Sequence, residues 1–172
     1  LVLPVQTSRG CYWKKCAFCN LHLDHRSYRP RKIDLVMNDI QTLSKKHNTE
    51  FFFITDESIP LSAVSRLSDR IIEQELDIKW ICGARFEKSL SSELLEKASR
   101  AGCLKIVFGL ESYSQRVLDL MSKGTQKKNI DRIVHDCLKY DIAVHLYVIV
   151  GFLTETREEV METVNFILKN DR

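Results

Sequence analysis

Short apolar runs alternate along this chain with longer segments in which apolar residues recur every three or four positions. Runs rich in β-branched and aromatic residues are typical of buried strands in a parallel sheet, whereas the wider spacing is typical of helices with one apolar face. The strand pattern occurs five times, in LVLPVQ, EFFFIT, IKWICGA, LKIVFGL and IAVHLYVIV. The sequence therefore predicts five buried strands.

A helical pattern follows each predicted strand. The third helix is predicted to end near Gly102, and the last to begin with Thr156 and Glu159, which have the spacing of a capping box. The fourth unit has a short piece at residues 117–121, a break at Gly124 and then a second helix. The residues predicted to face inward are Ile33, Val36, Ile40 and Leu43; Leu61, Val64, Leu67 and Ile71; Leu90, Leu94 and Ala98; Ile130, Ile133, Cys137 and Leu138; and Val160, Val164 and Ile167.

The repeated strand-helix order predicts parallel strands joined by right-handed crossovers, either in an open doubly wound sheet or in part of a barrel. A complete barrel of eight units takes about 250 residues, whereas this sequence has 172 residues. We interpret residues 1–172 as one α/β domain, a partial (β/α) barrel of about five strand-helix units that lacks at least one strand. Because Leu1 falls directly in a strand-like run, we interpret the sequence as an excerpt of a longer chain.

Composition narrows the class of protein only modestly. Hydrophobic residues make up 44% and charged residues 28% of the sequence, as in a globular unit with a sizeable core. The formal net charge of +3 is small, which argues against a nucleic-acid partner, and no apolar run is long enough to cross a membrane. Six cysteines without a secretory leader favour a reducing cytoplasm over a secreted disulfide framework.

Three cysteines lie in one short run, TSRGCYWKKCAFCN, with the spacing C-x4-C-x2-C. A four-iron four-sulfur cluster is usually held by four thiolates. Cys11, Cys16 and Cys19 would therefore bind such a cluster and leave one iron without a protein ligand. An open iron can bind a substrate or a cofactor.

Two other hypotheses compete with an open cluster. Zinc favours tetrahedral sites closed by four Cys or His ligands, and His22 or His25 could complete such a site. A closed iron-sulfur cluster would take its fourth ligand from Cys82, Cys103 or Cys137, although these three cysteines are more simply packing residues. Either alternative describes an electron-transfer or zinc-stabilised interaction module without chemistry of its own.

Polar or permissive residues follow the other four predicted strands, and the first strand runs into the cysteine loop. In barrels the chemistry gathers at the C-terminal ends of the strands. We therefore expect these residues to lie together at one mouth. They are Thr55, Asp56, Glu57 and Ser58 after the second strand, Arg85 after the third, Glu111 and Ser112 after the fourth, and Gly151 after the fifth.

The cysteine loop, with Phe18 directly before its last cysteine, resembles that of the radical S-adenosylmethionine (SAM) enzymes. The usual loop has three residues between the first two cysteines, whereas four stand here. The segments ITDES, FGLESYSQRVLDLMSKG and VIVGFLTETREE also resemble radical SAM segments, particularly those of enzymes that carry a cobalamin-binding domain. The resemblance extends over essentially the whole chain.

This resemblance implies two cofactors and a site for each. Cys11, Cys16 and Cys19 would ligate a 4Fe-4S cluster, and SAM would chelate the fourth iron through its amino and carboxylate groups. The residues implied around SAM are Phe18 and the backbone of Val150, Gly151 and Phe152 beside the adenine; Glu111, followed by Ser112, near the ribose or the amino group; Asp56 or Glu57 near the amino group; and Arg85 on a carboxylate of SAM or substrate.

The strand-end charges also have structural explanations. Asp56 can cap a helix, Glu57 can be a solvated surface charge, and Arg85 can close an ion pair at the barrel end. His145, within the fifth strand, is explained by a hydrogen-bonded core position at least as well as by a catalytic one. Trp80 is most simply a core residue.

The reaction implied by the resemblance begins with one electron from a donor such as flavodoxin or ferredoxin. Reductive cleavage of SAM gives methionine and a 5′-deoxyadenosyl radical, which abstracts hydrogen from a substrate whose identity the sequence leaves open. Cobalamin-dependent methyl transfer or rearrangement is one continuation, with cobalamin bound by a domain outside this chain. An RNA substrate would require an additional basic domain. No residue is assigned a catalytic role.

Overall fold

The computed structural model describes residues 1–21 and 27–171. Its main sheet has five parallel strands, and a short antiparallel pair lies at the base of the cysteine loop. The main-sheet strands, in spatial order, are β1 (Val2–Val5), β4 (Phe51–Ile54), β5 (Lys79–Ala84), β6 (Cys103–Glu111) and β7 (Ala143–Val148), and the pair is β2 (Ser8–Arg9) with β3 (Arg29–Pro30).

Helices connect the strands of the main sheet. The predicted break at Gly124 is confirmed, and so is the capping box of Thr156 and Glu159. In the part of the chain that the structure describes, no helix combines the length and the apolar character needed to span a membrane. The helices are α1 (Ile33–His47), α2 (Leu61–Glu73), α3 (Ser92–Arg100), α4 (Gln115–Leu120), α5 (Lys127–Lys139) and α6 (Arg157–Asn170).

The helices cover one face of the sheet and leave the other open. In β4, Phe52 and Ile54 are buried under the helices, whereas Phe51 and Phe53 point to the open face. A doubly wound sheet carries helices on both faces, so the one-sided burial identifies an arc of a barrel. The prediction of a partial barrel is confirmed, and the strands predicted to be buried are buried on the face that the helices cover.

The strand register places all the C-terminal strand ends along one edge. Ile54 of β4 lies beside Cys82 of β5, which lies beside Ile106 of β6, which lies beside Val144 of β7. Because these strands are parallel, the residues that follow them emerge on the same side of the sheet. The polar strand ends therefore converge, as the sequence predicts.

Helix α3 starts later than its apolar pattern predicts. The Ser91 hydroxyl caps the helix by accepting a hydrogen bond from the Leu94 backbone N–H, so Leu90 lies before the helix. The buried positions of α3 are Leu95 and Ala98, and Leu94 is only partly buried. The three residues predicted to face inward therefore do so, Leu90 and Ala98 fully and Leu94 partly, but Leu90 precedes the cap and does not belong to the helix.

Helix α6 is rotated relative to the prediction. The Thr163 hydroxyl accepts a hydrogen bond from the Tyr113 backbone N–H at 2.8 Å, and Glu159 pairs with Arg116. Phe166 stacks on the Tyr113 ring, with 4.0 Å between centroids. These contacts turn Glu159, Thr163 and Phe166 inward, and the residues predicted to be buried are only partly so: Val160, Val164 and Ile167.

Strand β7 forms an edge of the described sheet, and its open face is exposed. His145 is exposed, and its ring meets that of Tyr147 edge-on with 5.2 Å between centroids. The expectation of a hydrogen-bonded core histidine is wrong, because His145 is on the face that no helix covers.

The core lies between the sheet and its helices. Trp80 is fully buried and its indole N–H donates to the Ala101 carbonyl at 2.8 Å. The prediction that Cys82, Cys103 and Cys137 are packing residues is confirmed, since all three are buried in the same core. Burial raises the pKa of the Cys103 thiol and raises that of Cys137 to about 12. The C-terminal ends of the strands and the cysteine loop enclose a cavity that none of these three thiols lines, so the hypothesis that one of them is a fourth cluster ligand is wrong.

Two adjacent phenylalanines of β4 test the one-sided burial. We expect Phe52→Ala to lower the free energy of unfolding by about 3–5 kcal/mol, because a fully buried ring is replaced by a cavity. Phe51→Ala is the matched control, since Phe51 is 41% exposed and Phe52 is 1% exposed. Denaturant unfolding of both variants measures the difference, and equal losses would contradict the open face.

Candidate functional site

A cavity of about 420 Å³ opens at the C-terminal ends of the strands. This volume is within the range of small-molecule sites. The cysteine loop forms one wall, and the ends of β4, β5 and β6 form the others. Eight of the residues proposed from the sequence line it together: Cys11, Cys16, Phe18, Cys19, Asp56, Glu57, Arg85 and Glu111.

The three cysteines of the loop line the cavity, and each is partly exposed. Among residues 1–21 and 27–171, no group of three His, Cys, Asp or Glu side chains is close enough to hold one metal ion. In a four-iron four-sulfur cluster each thiolate binds a different iron, so the ligands of such a cluster are spaced more widely than those of a zinc ion. The donor set therefore fits a cluster. The zinc ligands considered above, His22 and His25, lie outside the described residues.

Asp56 fastens the start of the cysteine loop to the end of β4. The carboxylate of Asp56 accepts hydrogen bonds from the backbone N–H and the hydroxyl of Thr7, at 2.7 and 2.6 Å, and from the hydroxyl of Ser8. Asp56 is only 7% exposed, so these bonds replace the water it has lost. The alternative that Asp56 caps a helix is wrong, because the N-cap of α2 is Pro60.

Two cations flank Cys16. The Nη1 atom of Arg85 lies 4.0 Å from the Cys16 sulfur, and the same guanidinium pairs with Glu87, with 3.5 Å between Nε and Oε1. Partial burial raises the pKa of the Cys16 thiol, whereas the positive charges of Lys123 and Arg85 act in the opposite direction. Cations beside a thiol favour its thiolate form, which is the form that binds iron.

A buried ion pair closes the floor of the cavity. The Lys123 ammonium donates to Oε1 of Glu111 at 2.6 Å, and the two side chains are only 7% and 10% exposed. Glu111 has a φ of +62°, which turns its side chain away from the regular direction of β6. A Cβ atom at Gly109 would lie closer than 3.0 Å to both charged groups, so glycine leaves the space that the pair occupies.

Four of the residues proposed from the sequence lie outside the cavity lining. Ser112 is fully buried, and its hydroxyl is bonded to Glu155 and the Ser114 backbone N–H. The other three follow β7: Val150 is exposed, and the backbone N–H groups of Gly151 and Phe152 donate to Glu155.

Other cavity residues were missed as site residues by the sequence analysis. Lys123 stands in a helix break, where local pattern gives no sign that its side chain turns inward. Gly109 could have been noted as a glycine inside a strand, which often marks a close approach by another group. Apolar residues from the strands β4, β6 and β7 complete the lining: Phe53, Val107 and Tyr147.

The arc of parallel strands, with a three-cysteine loop after its first strand, defines a class of partial-barrel proteins with a cysteine-rich cavity at the mouth. The chain belongs to the radical SAM superfamily, whose sequence profile matches residues 5–167. The family resemblance derived from the motifs is therefore confirmed.

Similar proteins include several methyltransferases and cyclases. An uncharacterized methyltransferase of Pyrococcus horikoshii is 30% identical over 97% of this chain, which corresponds to 37% of that protein. The anaerobic magnesium-protoporphyrin IX monomethyl ester cyclase of Rubrivivax gelatinosus is 30% identical over 91% of the chain and 28% of the cyclase. The chain thus spans well under half the length of these relatives.

The fold also has a close counterpart among solved structures. The radical SAM methyltransferase TsrM from Kitasatospora setae, solved with cobalamin and a [4Fe-4S] cluster bound, superposes with a TM-score of 0.87. The match covers 99% of this chain and 35% of TsrM at 18% identity. At this level of identity the likeness shows the fold, and it confirms the partial-barrel architecture.

Gly109→Ala tests the buried pair. We expect a loss of about 1–3 kcal/mol in the free energy of unfolding, because the new Cβ must displace the Lys123–Glu111 pair and leave buried charges poorly bonded. Gly83→Ala is the control, since a Cβ there meets only ordinary contacts, the nearest at 3.7 Å. Denaturant unfolding compares the two variants, and an equal cost would show that Gly109 is not required by the pair.

Proposed function

We propose that this chain is the cluster-binding and SAM-binding core of a radical SAM enzyme, with Cys11, Cys16 and Cys19 as the cluster ligands. The observation that carries this proposal is the convergence of these thiols, with two cations beside Cys16, on one cavity at the strand ends. Three thiolates leave one iron of a four-iron cluster open. The cavity supplies the space in which SAM would reach that iron.

When bound, the cluster supplies the electron that cleaves SAM into methionine and a 5′-deoxyadenosyl radical. The residues of the chain then serve to bind SAM, orient it and exclude water. The Phe18 ring offers a flat surface for the adenine, and Glu111 offers a carboxylate for the ribose or the amino group. Arg85 is suited to a carboxylate, because its guanidinium presents paired donors. The backbone of Val150, Gly151 and Phe152, which follows β7 outside the cavity lining, is the second surface that we propose for the adenine.

The two carboxylates after β4 have different roles in this proposal. Asp56 is buried and already accepts three hydrogen bonds, so its role is to hold the cysteine loop. Glu57 is more exposed and lines the cavity. We therefore assign the methionine amino group to Glu57 rather than to Asp56.

Cobalamin-dependent chemistry is the continuation that the relatives favour. The curated relatives include methyltransferases and a cyclase, and TsrM was solved with cobalamin. The apolar residues Phe53, Val107 and Tyr147 line the cavity, which suits a substrate with a substantial apolar surface. We propose that cobalamin is bound by a domain outside these residues, and that an electron donor such as flavodoxin or ferredoxin reduces the cluster in the cytoplasm.

An electron-transfer module is the rival hypothesis. Such a module needs a closed cluster, whereas the structure places Cys82, Cys103 and Cys137 in the core. It also gives no role to the cavity or to the Lys123–Glu111 pair. The radical enzyme accounts for both features.

The cluster assignment is tested by electron paramagnetic resonance of the reconstituted, reduced protein. We expect a cluster signal that changes when SAM is added, because SAM would coordinate the open iron. Cys16→Ala should abolish this response, and Cys103→Ala, which removes a core thiol, should retain it. A signal indifferent to SAM would favour the electron-transfer module, and zinc without any cluster would favour the interaction module.

The role of Glu111 is tested by its amide variant. We expect Glu111→Gln to weaken SAM binding about 10- to 100-fold while iron content is retained, because a charge-assisted hydrogen bond contributes about 1.5–3 kcal/mol. Calorimetric titration of the loaded protein with SAM measures the affinity. Glu50→Gln is the control, since Glu50 precedes β4 at the opposite end of the sheet. Unchanged affinity in Glu111→Gln would remove Glu111 from the SAM site.

A further inference from the structure

The four-residue spacer between Cys11 and Cys16 is anchored at two of its side chains. The Tyr12 hydroxyl donates to Oε1 of Glu87, and the Trp13 indole N–H donates to the Ser122 carbonyl at 2.9 Å. Lys14 then adopts a left-handed backbone conformation, with a φ of +55°. This turn brings the chain back towards Cys16, so the extra length of the spacer is taken up by a defined path.

Two contacts from distant segments hold the Trp13 ring. The ring packs against Gly124, where a Cβ atom would come closer than 3.0 Å to two ring carbons. The Arg85 guanidinium lies over the ring, with 4.3 Å between Cζ and the centroid. Arg85 also donates to the Lys123 carbonyl, next to Gly124. The indole thus contacts Arg85, which follows β5, and Gly124 in the α4–α5 connection. We call this pair of contacts the clasp.

The clasp lies directly beside a proposed cluster ligand. Arg85, which stacks on Trp13, also lies 4.0 Å from the Cys16 sulfur. One residue beyond Cys16, the Ala17 backbone N–H donates to the Met121 carbonyl at 2.9 Å. The same connection therefore holds the loop before and after Cys16.

We propose that Trp13 is a positioning residue that fixes the place of Cys16 through its clasp by Arg85 and Gly124. This inference rests on the proposed function, in which Cys16 is a cluster ligand. Trp13 itself does not line the cavity that holds the three cysteines, so it acts through the loop. The clasp is what allows a spacer of four residues to present its cysteines to one cluster.

The Ala17 amide reports on the loop in the protein before cluster loading. We expect Trp13→Ala to speed hydrogen exchange at this amide by at least about tenfold, because its bond to Met121 then opens more often. Core amides of β5 and β6 should be unaffected. Trp13→Phe keeps a ring for Arg85 and Gly124 to pack against and should restore most of the protection. Unchanged exchange in Trp13→Ala would overturn the proposal.

A double-mutant cycle isolates the contact with Gly124. We expect Gly124→Ala to speed Ala17 exchange as Trp13→Ala does. When Trp13 is already alanine it should add no more than Gly151→Ala adds, since the ring that the Cβ strikes is then absent and only the strain of a positive φ remains. Gly151→Ala is the matched control, because Gly151 also has a positive φ, +82°, but a Cβ there meets no atom within 4 Å. Additive effects, or an equal effect of Gly151→Ala, would contradict the clasp.

Measurements on the cluster-loaded protein distinguish a failure of this proposal from a failure of the proposed function. We expect Trp13→Ala to bind less than half the iron of the wild type under the same reconstitution, and to broaden the cluster's paramagnetic signal, with Trp13→Phe close to wild type. If the wild type takes up no cluster, the proposed function fails while the exchange measurements still decide the clasp. If all variants load equally with identical signals, Trp13 does not position Cys16.

Discussion

The arrangement of the site depends on the Arg85 side chain, which joins β5 to two segments from distant parts of the sequence. Its guanidinium stacks on Trp13, lies beside the sulfur of Cys16, donates to the carbonyl of Lys123 and pairs with Glu87. A guanidinium has two flat faces and donors in one plane, so one group can stack and form hydrogen bonds at once. At 5% exposure, Arg85 has lost most of its water, and these contacts replace only part of it, because the buried Nε atom lies 3.5 Å from Glu87 and makes no hydrogen bond.

Charge balance gives the cavity its chemical character. Two buried cations, Arg85 and Lys123, stand at its base, each with one carboxylate partner: Glu87 and Glu111. Cationic side chains in a medium of low dielectric stabilise further negative charge nearby. The thiolates of a cluster and the carboxylate of an amino-acid cofactor are both anions. The same two side chains therefore suit both of the ligands proposed for this site.

The sequence pattern was enough to predict the order of strands and helices along the chain and the partial-barrel class, because hydrophobic periodicity and strand-helix alternation are local signals. The face of α6 that turns inward could not be predicted, because it is set by the contacts of Thr163 and Glu159 with other elements. The cysteine loop and the charges after β4, β5 and β6 were predictable from their place at strand ends. Lys123 was not, because it enters the cavity from a helix break, and only the folded chain brings it to Glu111.

The packing of Trp13 against Gly124 links two positions more than a hundred residues apart. The cysteine loop consequently cannot be moved unchanged into a related barrel. Its spacer fits only where the α4–α5 connection has no Cβ atom at the contact with Trp13. A shorter spacer would remove the steric restriction at position 124 and leave its φ of +68° as the remaining reason for glycine there. The length of the loop and the residue at this distant position are thus coupled through one steric contact.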